Sequence, residues 1–201
     1  MENQYKGEGI RKIAVLFPGI GYTCDKPLLY YSAKLAAERG YEVVRVPYGN
    51  FPPNVKGDAQ KMQQCFVSAR EQSEDILRTV EWSLYSDVVF FSKSVGTAVA
   101  MSYAKDHGIA ARQVLYTPLE ETFRFPVTAK ISEDPDSGPA AVVFHGTGDP
   151  WAETAQIIRL CEEKGIPLYL TKDANHSLEC GKAMKDLRTI KKVMKTVKEF
   201  L

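Results

Sequence analysis

The apolar residues of this chain fall in short unbroken blocks rather than in strict alternation. Blocks at 13–17, 42–46, 87–91, 113–116, 140–145 and 167–170 are rich in Val, Ile, Leu and Phe, with polar or turn-forming residues between them. Continuous blocks of that length suit strands covered on both faces of a parallel sheet. Between the blocks the apolar period changes to that of a helix, near 26–39, 58–80, 94–107, 152–164 and 179–201. In the second of these segments Met62, Phe66, Ala69, Ser73, Ile76 and Val80 form one stripe. In the last, Ala183, Leu187, Ile190, Met194 and Val197 do so, with lysines and an arginine opposite, as on a solvated face. Regular alternation of strand and helix implies an α/β fold: a doubly wound, mainly parallel six-stranded sheet flanked by helices. No repeat or linker divides the chain, so one domain over 1–201 is expected. Its longest insertion, 118–139, is a candidate for a small flap.

Ligands of such sheets bind at the carboxyl ends of the strands, which makes the strand-to-helix loops the places to search. The segment VVFFSKSVGTAVAM, residues 88–101, turns from strand to small-residue helix at Ser-Lys-Ser-Val-Gly. Centred on Ser94 it reads S-x-S-x-G, close to the G-x-S-x-G nucleophile elbow. A turn that tight needs small residues two before and two after the serine. Gly96 meets the demand, and Ser92 nearly does. The helix N-terminus that follows favours negative charge at the corner. A serine ahead of a helix serves equally well as an N-cap, and Ser92, still within the strand, is the weaker nucleophile.

A serine needs a base, itself oriented by a third group. Only three histidines exist. His107 looks like the C-cap of the helix after the corner, before Gly108. His145 ends a strand, a wall position. His176, in LYLTKDANHSLE, leaves the last strand on the same sheet edge as Ser94 and is the candidate base. The candidate acid is Asp149 in HGTGDP, after the penultimate strand, although it too could cap a helix. Asp173, three residues from His176 on one loop, is poorly placed to orient the ring. A carboxylate on the ring tends to raise its pKa, so turnover is expected to rise through roughly pH 6 to 8.

The order Ser94, Asp149, His176 is that of the α/β-hydrolase fold. With FPGIG after the first strand, SKSVG, HGTGDP and ANHSLE, the chain resembles the α/β-hydrolase family over nearly its whole length, and its small lidless members most. Two departures are Ser92 for the first elbow glycine and Pro18-Gly19 where many relatives carry His-Gly. The resemblance implies that Ser94 is the nucleophile, His176 the base and Asp149 its orienter. An oxyanion hole needs preorganised backbone donors. One is the N–H of Val95, after the nucleophile. By the family pattern the other falls on Ile20, with Gly21 as neighbour. Tyr22, Phe123 and Trp151 are candidates for substrate contact, alongside Tyr48 and Phe125. Each could instead simply cover the sheet edge.

The implied activity is that of a serine hydrolase cleaving a small carboxylic ester or thioester through an acyl-enzyme, with no cofactor and no metal. The alternative is a non-catalytic binding module on the same scaffold. No G-x-G-x-x-G or G-x-x-x-x-G-K-[ST] follows a strand, which disfavours a nucleotide or flavin domain. Composition agrees. A formal charge of +1 argues against a nucleic-acid partner. No apolar segment approaches membrane-spanning length, and the polar start MENQYKGEGIRK lacks a secretory core. Four cysteines without a C-x-x-C pair suit reduced thiols, so a cytoplasmic location and a small-molecule acyl substrate are expected.

Overall fold

The six apolar blocks become six strands: β1 (Lys12–Phe17), β2 (Tyr41–Arg45), β3 (Asp87–Lys93), β4 (Ala111–Tyr116), β5 (Ala141–Gly146) and β6 (Leu168–Thr171). These come from a computed structural model that describes residues 11–129 and 138–201. The sheet order is β2-β1-β3-β4-β5-β6, and every pair is parallel. The inner strands are buried almost throughout. The edge strands β2 and β6 are half exposed, and there the sequence admits Glu42, Arg45 and Tyr169. β3 runs two residues past the expected end, because Ser92 and Lys93 stay in the ladder opposite Leu115 and Tyr116. Ser94 therefore follows the last strand residue directly.

Five helices cover both faces: α1 (Pro27–Glu38), α2 (Ala59–Leu77), α3 (Val95–Asp106), α4 (Thr154–Glu163) and α5 (Ala183–Phe200). α1 and α5 pack on one face, around Leu28, Leu29, Phe91, Tyr116, Val193 and Val197. α2 and α3 pack on the other, and α4 continues that layer beside β5. Two stripes differ from expectation. α2 turns Cys65, Ala69, Ser73 and Leu77 inward, because small side chains allow close approach, and leaves Met62, Phe66 and Ile76 on its flank. α5 buries Val193, Val197 and Phe200, while Leu187 is 58% and Met184 66% exposed. The first turns of α5 lie along the free edge of β6 across an open cleft, so no further strand covers their apolar positions. Among the described residues no helix is long and apolar enough to cross a membrane.

The insertion at 118–139 is described only up to 129. Its first part is a 3-10 turn, Glu120–Arg124, that folds inward: Thr122 and Phe123 are buried, and Thr122 Oγ1 meets Thr97 Oγ1 at 2.6 Å. The remainder of the expected flap, 130–137, lies outside the described residues.

Strand order reverses between β1 and β3, whose following helices leave on opposite faces, and a crevice opens at that switch point. The crevice closes down hard at its base. A Cβ added to Gly96 would come within 2.2 Å of Pro18 O and 2.4 Å of Phe17 O, both backbone atoms that cannot swing away. Gly96→Ala is therefore expected to push α3 off β1 and destabilise the fold by about 3 kcal/mol. Thermal melting by circular dichroism should show Tm lowered by roughly 6–12 °C. An unchanged Tm would mean that the helix has room the packing does not show.

Candidate active site

Ser94 sits at φ 55, ψ −128, a left-handed region that serine adopts only when its surroundings impose it, at a cost of about 1–3 kcal/mol. The surroundings do impose it. Its N–H donates to Tyr116 O at 3.1 Å, continuing the β3–β4 ladder, while its carbonyl already accepts from Thr97 N and Thr97 Oγ1. The side chain makes no cap bond to α3. The N-cap alternative is thus answered: the hydroxyl points out of the turn and lies 2.8 Å from His176 Nε2.

His176 is carried by the loop after β6. Asn175 Oδ1 accepts from the N–H groups of Ser177 and Glu179, and Thr117 Oγ1 donates to His176 O at 2.9 Å, which fixes the loop from both sides. The other ring nitrogen, Nδ1, is 2.7 Å from Asp149 Oδ2. An ionised carboxylate only accepts, so the proton belongs on Nδ1 and Nε2 is free to accept from the serine hydroxyl. Asp149 in turn is held by the Trp151 N–H on Oδ1 at 2.9 Å and has no exposed side-chain surface. It does not cap α4, whose N-cap is Glu153. The loop approaches β5 as tightly as α3 approaches β1: a Cβ on Gly146 would stand 2.3 Å from Ala174 O.

Above the serine are two sources of N–H groups. Gly19 and Tyr22 exchange backbone hydrogen bonds at 3.0 and 3.3 Å, so Ile20 and Gly21 form the tip of a tight turn. Neither the Ile20 nor the Val95 N–H donates to a protein acceptor among the described residues. A serine hydroxyl, a neutral imidazole, a buried carboxylate and uncommitted N–H donors at one strand edge are the parts required for acyl transfer.

The sequence profile of the alpha/beta hydrolase domain matches residues 11–201. The chain belongs to the alpha/beta hydrolase family. Its fold is shared by an alpha-beta serine hydrolase homologue from Coxiella burnetii, 19% identical, with 94% of this chain and 87% of that chain covered at a TM-score of 0.55. It is shared also by a lidless alpha/beta serine hydrolase from Xanthomonas campestris, at 15% identity, 96% and 84% coverage and TM-score 0.53. Est1E from Butyrivibrio proteoclasticus, at 12% identity, matches 96% of this chain and 88% of its own at TM-score 0.62. No curated protein matches the chain.

The electrostatics of this alpha/beta hydrolase differ from the sequence expectation. Burial pushes the His176 ring below the usual histidine value. The hydrogen bond to Asp149 raises it, but the charge of Lys93 adds to the lowering, and the net shift is downward. The carboxylate alone therefore does not set the sign. Asp149 goes the other way: burial works to raise its pKa, yet the His176 hydrogen bond, that ring's charge and the Trp151 N–H hold it below the ordinary carboxylate range. His145 is fully buried with Nε2 on Thr154 Oγ1 at 3.1 Å and Nδ1 3.8 Å from Asp149 Oδ2, and burial holds it neutral.

Of the aromatic candidates, Trp151 stands at the site, its ring centroid 5.6 Å from that of His176. Two others do not line the crevice. Tyr22 is 7% exposed and accepts from Leu28 N at 3.1 Å, helping to start α1 within the core. Phe123 is turned into the core with Met101 and Leu115, because a 3-10 turn places it inward, and Phe125 is left partly buried, stacked on Phe66. Tyr48 is bonded to Ser73 on α2. Asp173 spends its N–H on Thr147 Oγ1, and His107 pairs with Glu74 at the far end of α3. What the sequence did not reveal is a cleft of about 310 Å³ beside Val95, lined by Met62, Phe66, Ala98, Leu119 and Phe125. The α2 stripe, extended to its first turn, was the available signal for Met62 and Phe66.

These shifts are measurable without any substrate. In a histidine NMR titration the His176 ring should titrate below 6.5. In Asp149→Asn it should titrate lower still, because the carboxylate is the group that raises it. A wild-type midpoint at or above 6.5 would show that the partner outweighs burial after all.

Proposed function

We propose that this alpha/beta hydrolase is a serine hydrolase that cleaves a small carboxylic ester or thioester through an acyl-enzyme. The observation that carries the reading is the continuous relay from Ser94 Oγ to His176 at 2.8 Å and from His176 to Asp149 at 2.7 Å. In the first half-reaction Ser94 Oγ attacks the acyl carbon while His176 Nε2 takes the hydroxyl proton. The carbonyl oxygen becomes an oxyanion, met by the N–H groups of Val95 and Ile20. Collapse expels the alkoxide or thiolate, which takes the proton back from Nε2. Water then repeats the sequence on the acyl-enzyme, releasing the acid and restoring the serine. Asp149 stays ionised throughout, holding Nδ1–H and stabilising the transient imidazolium.

The cleft beside Val95 suits the acyl group, since it adjoins an oxyanion donor and its floor of Met62, Phe66, Leu119 and Phe125 is apolar. Trp151 flanks the histidine and suits contact with the leaving group. Its other neighbour is Lys56, with Nζ 5.9 Å from the ring centroid. The four cysteines are all unpaired thiols, which fits a reducing compartment such as the cytoplasm.

Activity-based labelling with a fluorophosphonate tests the reading. Wild type should be labelled at Ser94, and Ser94→Ala should abolish labelling while keeping the fold. Asp149→Asn should lower ester turnover by about three to four orders of magnitude. Because His176 must be neutral to act and its pKa is lowered, kcat/KM should rise along a limb below pH 6.5, rather than across 6 to 8. Labelling that moves to Ser92, or full turnover in His176→Ala, would overturn the assignment, and an unlabelled wild type would favour a binding module.

A further inference from the structure

Lys93 immediately precedes Ser94, and the steps above give it no task. Its side chain leaves β3 on the face of Phe91 and is 1% exposed, so the amine does not reach water as a surface lysine does. Nζ lies 5.1 Å from the centroid of the Tyr22 ring. The residue also borders the turn that carries Ile20: a Cβ on Gly19 would meet Lys93 O at 3.2 Å and Lys93 Cγ at 3.6 Å. Lys93 therefore runs directly beneath the backbone that offers one of the two N–H donors.

A buried ammonium is costly unless charge or π density compensates it. Here the compensation comes from the face of Tyr22 and from Asp149. Methionine or leucine would fill the same space without that cost, so packing alone does not call for a lysine. The groups around it come from every neighbouring element. Tyr22 lies in the turn after β1, with Glu179 acting on it, and Tyr116 is the β4 residue opposite Lys93. Asp149 comes from the loop after β5, and His176 from the loop after β6. Asp149 favours the charged amine, whereas protonated Lys93 and protonated His176 oppose one another.

We propose that Lys93 is a positioning residue of this active site: its buried side chain supports the turn that presents Ile20, and its amine places a positive charge near the oxyanion formed there. The proposal rests on the serine-hydrolase reading. With the amine charged, the oxyanion gains a favourable charge, which raises the rate, while the imidazolium is disfavoured, which keeps the ring neutral to lower pH at some cost in its strength as a base. Burial brings the amine down to about 7, so both effects fade as pH rises past neutrality.

The test is the pH profile of fluorophosphonate inactivation and of ester turnover in wild type, Lys93→Met and Lys93→Arg. Wild type should show the acid limb below 6.5 and a partial decline above about 7. In Lys93→Met the limb should move to higher pH, the decline should vanish, and kcat should fall roughly tenfold with KM little changed. Lys93→Arg, which keeps its charge, should return the limb toward the wild-type position and remove the decline. An unmoved limb in Lys93→Met, with the wild type labelled, overturns the role of Lys93 alone. An unlabelled wild type overturns the serine-hydrolase reading and takes this role with it. Should Lys93→Met fail to fold, lysine side-chain NMR on the wild type decides: a Lys93 amine titrating near neutrality supports the proposal. One titrating with the surface lysines overturns it.

Discussion

The site depends on two backbone contacts that leave no space for a side chain. At Gly96 the first turn of α3 lies on the end of β1, and at Gly146 the loop bearing His176 lies on the end of β5. Both contacts join a connecting element, a helix start in one case and a loop in the other, to the end of an inner strand of the parallel sheet. Ser94 and His176 are therefore referenced to the same frame, and the distance between them is set by strand spacing rather than by flexible side chains. The strain at Ser94 follows from this. Its N–H belongs to the β3–β4 ladder and its carbonyl to α3, so its backbone has to absorb the whole change of direction. A residue held on both sides this way can keep a costly φ, because relaxing it would break a strand bond or a helix start.

The same closeness produces the unusual charge environment. Asp149, His145, His176 and Lys93 all lie where strands end and water is largely excluded, so each group feels desolvation and the charge of at least one of the others. Asp149 wins against burial because donors converge on it from two sides. His176 has one favourable partner, and burial together with Lys93 outweighs it. A pairwise rule, carboxylate raises histidine, was sound as far as it went. It failed because the third charge sits on Lys93, the residue next to Ser94, and is invisible as a charge effect until the fold places it.

That failure shows what the sequence could and could not reveal. The six strands, their mainly parallel alternation with helices and the order Ser94, Asp149, His176 were legible, since each rests on local pattern: an apolar block, then a loop with unusual chemistry. Strand ends must lie along one sheet edge, so the order alone brought three distant residues together. Side-chain direction was not legible. Tyr22 and Phe123 lie in the right loops but point inward, one because it starts α1 and the other because a 3-10 turn has a different repeat from an α-helix. Leu187 sits on a good apolar stripe, yet the stripe outruns the sheet. Met62 and Phe66 were placed on one stripe with Ala69 and Ser73, yet they line a cleft, a distinction that depends on the small residues Cys65, Ala69 and Ser73 drawing the other side of α2 inward.

The inward fold of the 3-10 turn also bears on how a substrate would be chosen. Thr122 is tied to Thr97 on α3, and α3 is pinned to β1 at Gly96, so this wall of the cleft is fixed to the same frame as the serine. The opposite wall is α2, whose Phe66 ring lies nearly parallel to Phe125 with centroids 6.2 Å apart. On the proposed function, selectivity would then come from the fixed distance between two helices and a turn. In such an apolar pocket each methylene in excess or absent changes binding by about 1–3 kcal/mol, a graded preference among acyl groups rather than an absolute one. A stricter choice would need a buried polar group aimed into the cleft, and the polar side chains along this one, Gln63, Glu121 and Arg124, are exposed to water.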